Sequence, residues 1–293
     1  MTYMQNSMKE KSLISVKDFT REKVMHYIKK AEKYENISNN SKNLKTMINL
    51  FYEPSTRTSC SFHKSMLKIG GTVIEITDNS SAKKGDSLED TIKTVSIYGD
   101  VIVLRHPEKG AAERAAKVAT VPIINAGDGN GEHPTQALLD IYTIYKELNK
   151  DLEKDNIIVT FIGDLKNSRT IHSLIQLLNL FNVTYIFISP PQLDIPLEMM
   201  EESLPLSLEE ALKITDVVYV TRIQKERIKI KIPQPICLTK ELLSQAKKDL
   251  IIMHPLPRQE ELPTEIDDDP RAVYFKQVAN GVTMRMAILD ESL

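Results

Sequence analysis

Cysteine is almost missing from this 293-residue chain: it occurs only at Cys60 and Cys237. Two cysteines cannot build a disulfide framework, and neither sits in a zinc-type spacing. A reduced, cytoplasmic protein with no metal site is therefore expected. Also missing is any excess of charge of one sign. The 38 Lys and Arg against 40 Asp and Glu leave a net charge of −2, which gives no global positive field to recruit nucleic acid or an anionic membrane. No apolar run has the length needed to cross a bilayer. The opening stretch MTYMQNSMKEK lacks the apolar core of a secretory signal. There is no internal repeat, no low-complexity tract and no GxGxxG dinucleotide fingerprint, and no cofactor is expected. What is present, 41% hydrophobic and 27% charged residues, fits an ordinary globular protein and excludes disorder. The length is near two domains and ample for a core without staples.

Val24, Ile28 and Ala31 recur at helical spacing and predict a helix over roughly 17–34. The Lys/Asn-rich stretch 36–45 reads as a surface connection. Short β-branched runs then alternate with amphipathic stretches. The first set of runs covers 47–51, 72–76, 101–104 and 121–125; the second covers 157–162, 183–188, 217–220 and 250–253. Helical patterns lie between them at 58–68, 88–98, 134–148, 169–180 and 208–214. Eight buried-type strands separated by helices predict an α/β protein with parallel sheets built from right-handed βαβ units. The polar segment 149–156 divides the two sets of four, which places a domain boundary there and gives domains of 1–148 and 149–293. In open α/β sheets ligands sit at the carboxyl ends of strands, so the chemistry is sought there.

The run ending at Phe51 leads into Glu53-Pro54-Ser55-Thr56-Arg57-Thr58 and then a helix. Hydroxyls, a guanidinium and the backbone N–H groups of a helix start make an anion site. Ser55 or Thr56 also suits a plain helix cap, but capping does not require Arg57. Arg105-His106-Pro107 puts a second guanidinium at a strand end, a position that also suits a surface ion pair. His133-Pro134-Thr135-Gln136 follows the fourth run, with Pro134 suited to the first helical position and His133 aimed from the helix start. A buried structural histidine is the alternative for His133. In the second half, Gly163-Asp164-Leu165-Lys166-Asn167-Ser168-Arg169 repeats the strand–turn–helix plan with Arg169 at the helix start. Thr221-Arg222-Ile223-Gln224-Lys225-Glu226-Arg227 follows another strand, and His254-Pro255-Leu256-Pro257-Arg258 closes the last with rigid carbonyl acceptors. Four strand ends thus deliver five arginines, Arg57, Arg105, Arg169, Arg222 and Arg227, and Arg forks match phosphate and carboxylate. Hydroxyls plus Arg in one half and Arg plus Gln in the other read as a phosphate site and a carboxylate site. No activated Ser or Cys stands out, which points to direct transfer between two bound anions.

Taken together, these segments resemble the aspartate carbamoyltransferase family of catalytic chains. The resemblance runs from Phe51-Tyr52-Glu53-Pro54-Ser55-Thr56-Arg57-Thr58 through Lys83-Lys84-Gly85-Asp86, Arg105-His106-Pro107, His133-Pro134-Thr135-Gln136-Ala137-Leu138-Leu139-Asp140, Gly163-Asp164-Leu165-Lys166, Thr221–Arg227 and His254–Arg258 to Asn280-Gly281. It implies two doubly wound parallel-sheet domains with the active site between them. The first domain would bind carbamoyl phosphate and the second L-aspartate, and a last helix near 278–290 would return to the first domain. The products would be N-carbamoyl-L-aspartate and phosphate, a step of pyrimidine biosynthesis. Residue by residue, Ser55, Thr56, Arg57 and Thr58 would cradle the phosphate. Thr58, Arg105 and His133 would donate to the carbamoyl oxygen. Gln136 and the Pro255 and Leu256 carbonyls would hold the carbamoyl amide. Arg169, Arg222 and Gln224, joined by Lys84 and Leu256, would bind aspartate. Glu53 with Arg169 and Arg227 would favour a closed state.

The loop 78–86 reads from composition as a solvated turn. The resemblance instead implies a homotrimer with shared active sites, in which Ser80 and Lys84 act on a neighbouring subunit's substrates. Ornithine carbamoyltransferase shares the Ser-Thr-Arg-Thr motif but carries Cys where this chain has Pro255, and Arg222-x-Gln224 suits a dicarboxylate better than a cationic side chain. A catalytically silent scaffold is the reading from a different class, and the retained arginines oppose it. From this sequence no zinc-binding regulatory domain and no fused synthetase or dihydroorotase is expected; no regulatory partner chain is identified. The segment after Arg227, over 228–238, looks shorter than in the family.

Overall fold

The computed structural model describes residues 11–35, 44–77, 85–200, 203–225 and 233–293. Its strands are β1 (Thr46–Phe51), β2 (Thr72–Thr77), β3 (Val101–His106), β4 (Ile123–Asp128), β5 (Ile157–Ile162), β6 (Val183–Ile188), β7 (Val217–Val220) and β8 (Ile251–Met253). Its α-helices are α1 (Arg21–Tyr34), α2 (Thr56–Lys68), α3 (Leu88–Val95), α4 (Ala111–Val118), α5 (Pro134–Glu147), α6 (Arg169–Leu178), α7 (Leu208–Ile214), α8 (Lys240–Ser244) and α9 (Tyr274–Ser292). All eight expected strands are present, with ends shifted by at most a few residues.

Two expectations about helices are corrected, and one helix was not expected. The first helix is split: a short 3-10 turn at Val16–Asp18 precedes α1, whose Lys23 N–H is capped by the Thr20 hydroxyl at 3.3 Å. The helix expected over 88–98 ends at Val95, where Ser96 turns its hydroxyl back onto the Ile92 carbonyl at 2.6 Å. A hydroxyl bonded to its own helix backbone competes with continuation of the ladder. Helix α4, which is not among the expected helical patterns, buries only small side chains, Ala111, Ala112 and Ala115.

Contacts divide the chain into two compact units, Met1–Leu139 with Asn280–Leu293, and Asp140–Ala279. The division passes through α5 and again through α9. Unit 1 holds a four-stranded parallel sheet of order β2-β1-β3-β4; unit 2 holds one of order β6-β5-β7-β8. Right-handed crossovers from such an order place helices on both faces, and the direction of winding reverses between β1 and β3 and between β5 and β7. Those reversals are the topological switch points where α/β sheets bind ligands.

In unit 1, Ile48 and Leu50 of β1 and Ile102 and Leu104 of β3 pack with Leu88, Ile92 and Val95 of α3. Ala111 and Ala115 of α4 complete that layer. In unit 2, Val218 and Val220 of β7 and Ile252 of β8 pack with Leu212, Leu243 and Tyr274. Each such side chain contributes about 1.5–3 kcal/mol when fully buried. The C-terminal half of α9 is built into unit 1. Ser65 donates to the Val282 carbonyl at 2.8 Å, Arg285 Nη1 to Ser61 Oγ at 2.8 Å, and Lys30 pairs with Asp290 at 2.8 Å.

Candidate active site

In unit 1 the carboxyl ends of β1 and β3 are register partners, with Phe51 opposite Arg105 and the Tyr52 N–H on the Arg105 carbonyl at 2.9 Å. Ser55 and Arg105 thus leave the sheet side by side at its switch point. Ser55 occupies the N-cap position of α2 but makes no side-chain cap hydrogen bond. The simple capping role is excluded for it, and the first-turn N–H groups receive no bond from that hydroxyl. Arg57 is exposed, whereas Thr58 is 6% exposed and faces inward. Arg105 Nη1 donates to the Ala126 carbonyl at 3.3 Å, and its Nε lies 3.4 Å from Glu53 Oε2. The guanidinium is therefore held by its neighbours in the same unit.

Pro134 opens α5 and His133 precedes it, 4% exposed, its Nδ1 3.5 Å from the Thr135 hydroxyl. Two carboxylates that sequence reading passed over hold the approach to His133. Asp128 accepts from the Gly110 N–H at 2.8 Å and the Glu132 N–H at 2.7 Å. Glu132 in turn accepts from Ser15 Oγ at 2.9 Å and the Val16 N–H at 2.7 Å. Gly129, at φ 51°, has its Cα so near the Pro107 carbonyl that a Cβ would sit 2.1 Å from that oxygen. Only glycine accepts both conditions. Gln136 is half-buried in the first turn of α5.

Unit 2 repeats the plan. Arg169 is the first residue of α6 and 7% exposed; Ser168 at the N-cap again makes no side-chain cap and bonds the Thr170 hydroxyl at 3.0 Å instead. Asp164, fully buried, gathers the loop: one oxygen accepts from the Asn167 N–H at 3.1 Å and its Nδ2 at 3.0 Å, the other from the Gln224 N–H at 3.0 Å. The turns after β5 and β7, carrying Arg169 and Gln224, are therefore joined through one carboxylate. Gly163, at φ 119°, permits the crossing, since a Cβ there would lie 2.0 Å from the Thr221 carbonyl. Arg222 is half-buried, with Nη1 on the Ile223 carbonyl at 3.2 Å. After β8, Pro255 and Leu256 are half-buried, and the Leu256–Pro257 bond is cis. Ser80, Lys84 and Arg227 lie outside the described residues.

Each unit therefore presents, at its own switch point, an Arg-bearing helix N-terminus whose cap hydroxyl leaves the end N–H groups alone. Such an end attracts anions through its N–H groups and its dipole. Among the described residues no group of three or more His, Cys, Asp or Glu gathers as metal ligands, and no helix is long and apolar enough to cross a membrane.

Two parallel α/β units, each with an Arg-bearing, side-chain-uncapped helix start at its switch point, define a two-domain protein of doubly wound sheets. The chain belongs to the aspartate/ornithine carbamoyltransferase family: residues 11–146 match its carbamoyl-P binding domain and 155–291 its Asp/Orn binding domain. Within that family it is 47% identical to the aspartate carbamoyltransferase catalytic subunit of Archaeoglobus fulgidus, over 95% of this chain and 98% of the relative. It is 45% identical, over 94% of its length, to multifunctional protein CAD of Squalus acanthias, of which it spans only 13%. Its structure resembles that of aspartate transcarbamoylase from Trypanosoma cruzi in complex with N-(phosphonacetyl)-L-aspartic acid, with TM-score 0.90 and 39% identity, covering 98% of this chain and 97% of that one.

Proposed function

We propose that this protein transfers the carbamoyl group of carbamoyl phosphate to L-aspartate, releasing N-carbamoyl-L-aspartate and phosphate. The observation that carries the reading is the matched pair of Arg-bearing, side-chain-uncapped helix starts at Ser55 and Ser168, one beside hydroxyls and the other beside Gln224. In this reading Ser55, Thr56, Arg57 and Thr58 bind the phosphate. Thr58, Arg105 and His133 donate to the carbonyl oxygen, which becomes an oxyanion when the aspartate amine attacks. Gln136 and the Pro255 and Leu256 carbonyls hold the carbamoyl NH2. Arg169, Arg222 and Gln224 hold the two carboxylates. A C–N bond forms and the C–O bond to phosphate breaks. The amine proton passes to the departing phosphate, so no protein base is required.

The half of the chain to about residue 148 thus serves carbamoyl phosphate, and 149–293 serves aspartate, with 278–290 belonging to the first. The active chain is a cytoplasmic homotrimer of the pyrimidine route in which Ser80 and Lys84 complete a neighbour's site. Arg222 and Gln224 favour the dicarboxylate over ornithine.

The test is a carbamoyl-transfer assay with L-aspartate and L-ornithine as parallel acceptors. Carbamoyl aspartate without citrulline is expected. Citrulline alone would reassign the second site, and neither product from a folded sample would support the silent scaffold. For the shared site, mixing inactive Lys84→Ala and Arg57→Ala chains under subunit exchange is expected to restore activity, and no recovery would place Lys84 in its own subunit's site.

A further inference from the structure

The segment after β8 contains the one described non-glycine residue with positive φ, Leu256 at 52°. A left-handed leucine is strained and persists only where its surroundings hold it there. The holding group is visible. The Leu256 N–H donates to His254 Nδ1 at 2.8 Å, and His254 Nε2 lies 3.0 Å from Glu261 Oε1. Both side chains are buried, at 1% and 2% exposure. Since Nδ1 accepts, it carries no proton; Nε2 carries one and donates it to the carboxylate, which fixes the tautomer and the ring plane. Glu261 is itself placed by the Gln259 N–H on the same oxygen at 2.8 Å, and the His254 N–H by Gln277 Oε1 at 3.0 Å.

The consequence lies in the peptide that joins Pro255 to Leu256. In a trans peptide the N–H and C=O point in opposite directions. Binding the Leu256 N–H on one side therefore aims the Pro255 carbonyl to the other, and the left-handed Leu256 φ sets the direction in which the chain leaves toward its own carbonyl. We propose that His254, oriented by Glu261, is a positioning residue that aims the Pro255 and Leu256 carbonyls at the carbamoyl NH2. The inference rests on the substrate reading above and adds the device by which the enzyme tells a carbamoyl from an acyl group. Acetyl phosphate has the same charge and nearly the same shape but a methyl in place of NH2, so well-aimed carbonyls favour carbamoyl phosphate and misaimed ones do not.

The experiment measures KM for carbamoyl phosphate and the competitive inhibition constant of acetyl phosphate in wild type, His254→Asn, His254→Gln and Glu261→Gln. Asparagine keeps a short acceptor near the Nδ1 position; glutamine reaches toward Glu261 instead. Losing one such hydrogen bond corresponds to about tenfold in binding. In His254→Gln the KM should rise about tenfold with acetyl phosphate inhibition within about twofold of wild type, while His254→Asn should retain most of the discrimination. Glu261→Gln, which keeps an acceptor for Nε2–H but loses its charge, should lose about threefold and serves as the deciding variant should His254→Gln not fold. An unchanged ratio of the two constants in the folded variants, or an equal loss for both ligands, would overturn the proposal. A wild-type protein that makes no carbamoyl aspartate would instead remove the substrate reading, and this inference with it.

Discussion

Arg57 and Asp164 mark opposite ends of what single residues contribute to this site. Arg57 is exposed at the first turn of α2, so its removal disturbs no core. Arg57→Ala should leave the thermal transition within about 1 °C of wild type and lower kcat by about 10²–10³-fold, the cost of one transition-state donor; near-normal turnover would take Arg57 out of the mechanism. Asp164 is fully buried with its oxygens on Asn167 and the Gln224 N–H. Asp164→Ala leaves those donors without a carboxylate, at about 1–3 kcal/mol. It should raise KM for aspartate about tenfold or more while KM for carbamoyl phosphate stays near wild type, and steady-state kinetics in both substrates separates the two. The difference explains what a sequence discloses. Arg57, Arg105, Arg169 and Arg222 were legible because a guanidinium directly after a strand has few structural reasons to be there. Asp128, Glu132 and Asp164 act by accepting backbone N–H groups, and carboxylates in turns are ordinary, so nothing in the string gave them that duty, even for Asp164 inside the Gly163–Lys166 motif. His254 was legible as part of a motif, but its bond to the N–H two residues on was not.

Among the elements, the N-cap hydroxyls divide by duty. Ser15, Thr20, Ser87, Ser207 and Thr239 each accept from a backbone N–H of the helix or turn they open. Ser55 and Ser168 do not, and theirs are the helices that start at the switch points. A working cap is worth about 1 kcal/mol, so two helices forgo that stability at the switch points, where the proposed substrates would meet their N–H groups. Ser87→Ala should therefore lower stability by about 1 kcal/mol with unchanged kcat. Ser55→Ala should reduce kcat/KM for carbamoyl phosphate about tenfold at unchanged thermal stability. Thermal melts and kinetics on the same two preparations test this crossed pattern, and a Ser55→Ala protein that loses stability but not activity would restore the plain capping role. The sequence showed the strands well because parallel strands buried on both faces are continuous β-branched runs. Helix α4 was not expected: its buried face is made of the alanines at 111, 112 and 115 rather than of large apolar side chains.

For the molecule as a whole, the pH range of stability follows from which carboxylates the fold holds ionised. Asp267 is drawn down to about 2, first by its hydrogen bonds from the Arg258 guanidinium, with burial opposing and the Tyr274 hydroxyl assisting; Arg258 Nη2 lies 2.7 Å from its Oδ2. Asp269 is lowered mainly by the Arg271 guanidinium. Glu291 is lowered mainly by Lys30, and Asp216, although burial pushes it upward, is held down by the Ile158 N–H and by Lys150 and Lys247. A carboxyl whose folded pKa is depressed gives its stabilisation in full above the unfolded value, near 4, and loses it as pH falls through the folded value. The folded chain therefore takes up protons later than the unfolded one, and stability should be flat from about pH 6 to 8 and fall below about pH 5. Asp267 is partly exposed, and screening limits its share to about 1 kcal/mol. Asp267→Asn should accordingly unfold at lower urea than wild type at pH 7, by a margin that holds to about pH 5, narrows below pH 4 and closes toward pH 2. Urea midpoints of both proteins at pH 7, 5, 4 and 3 read this directly. A gap that stays constant across that series would mean that Asp267 stabilises unit 2 through its shape and hydrogen bonds rather than through its charge.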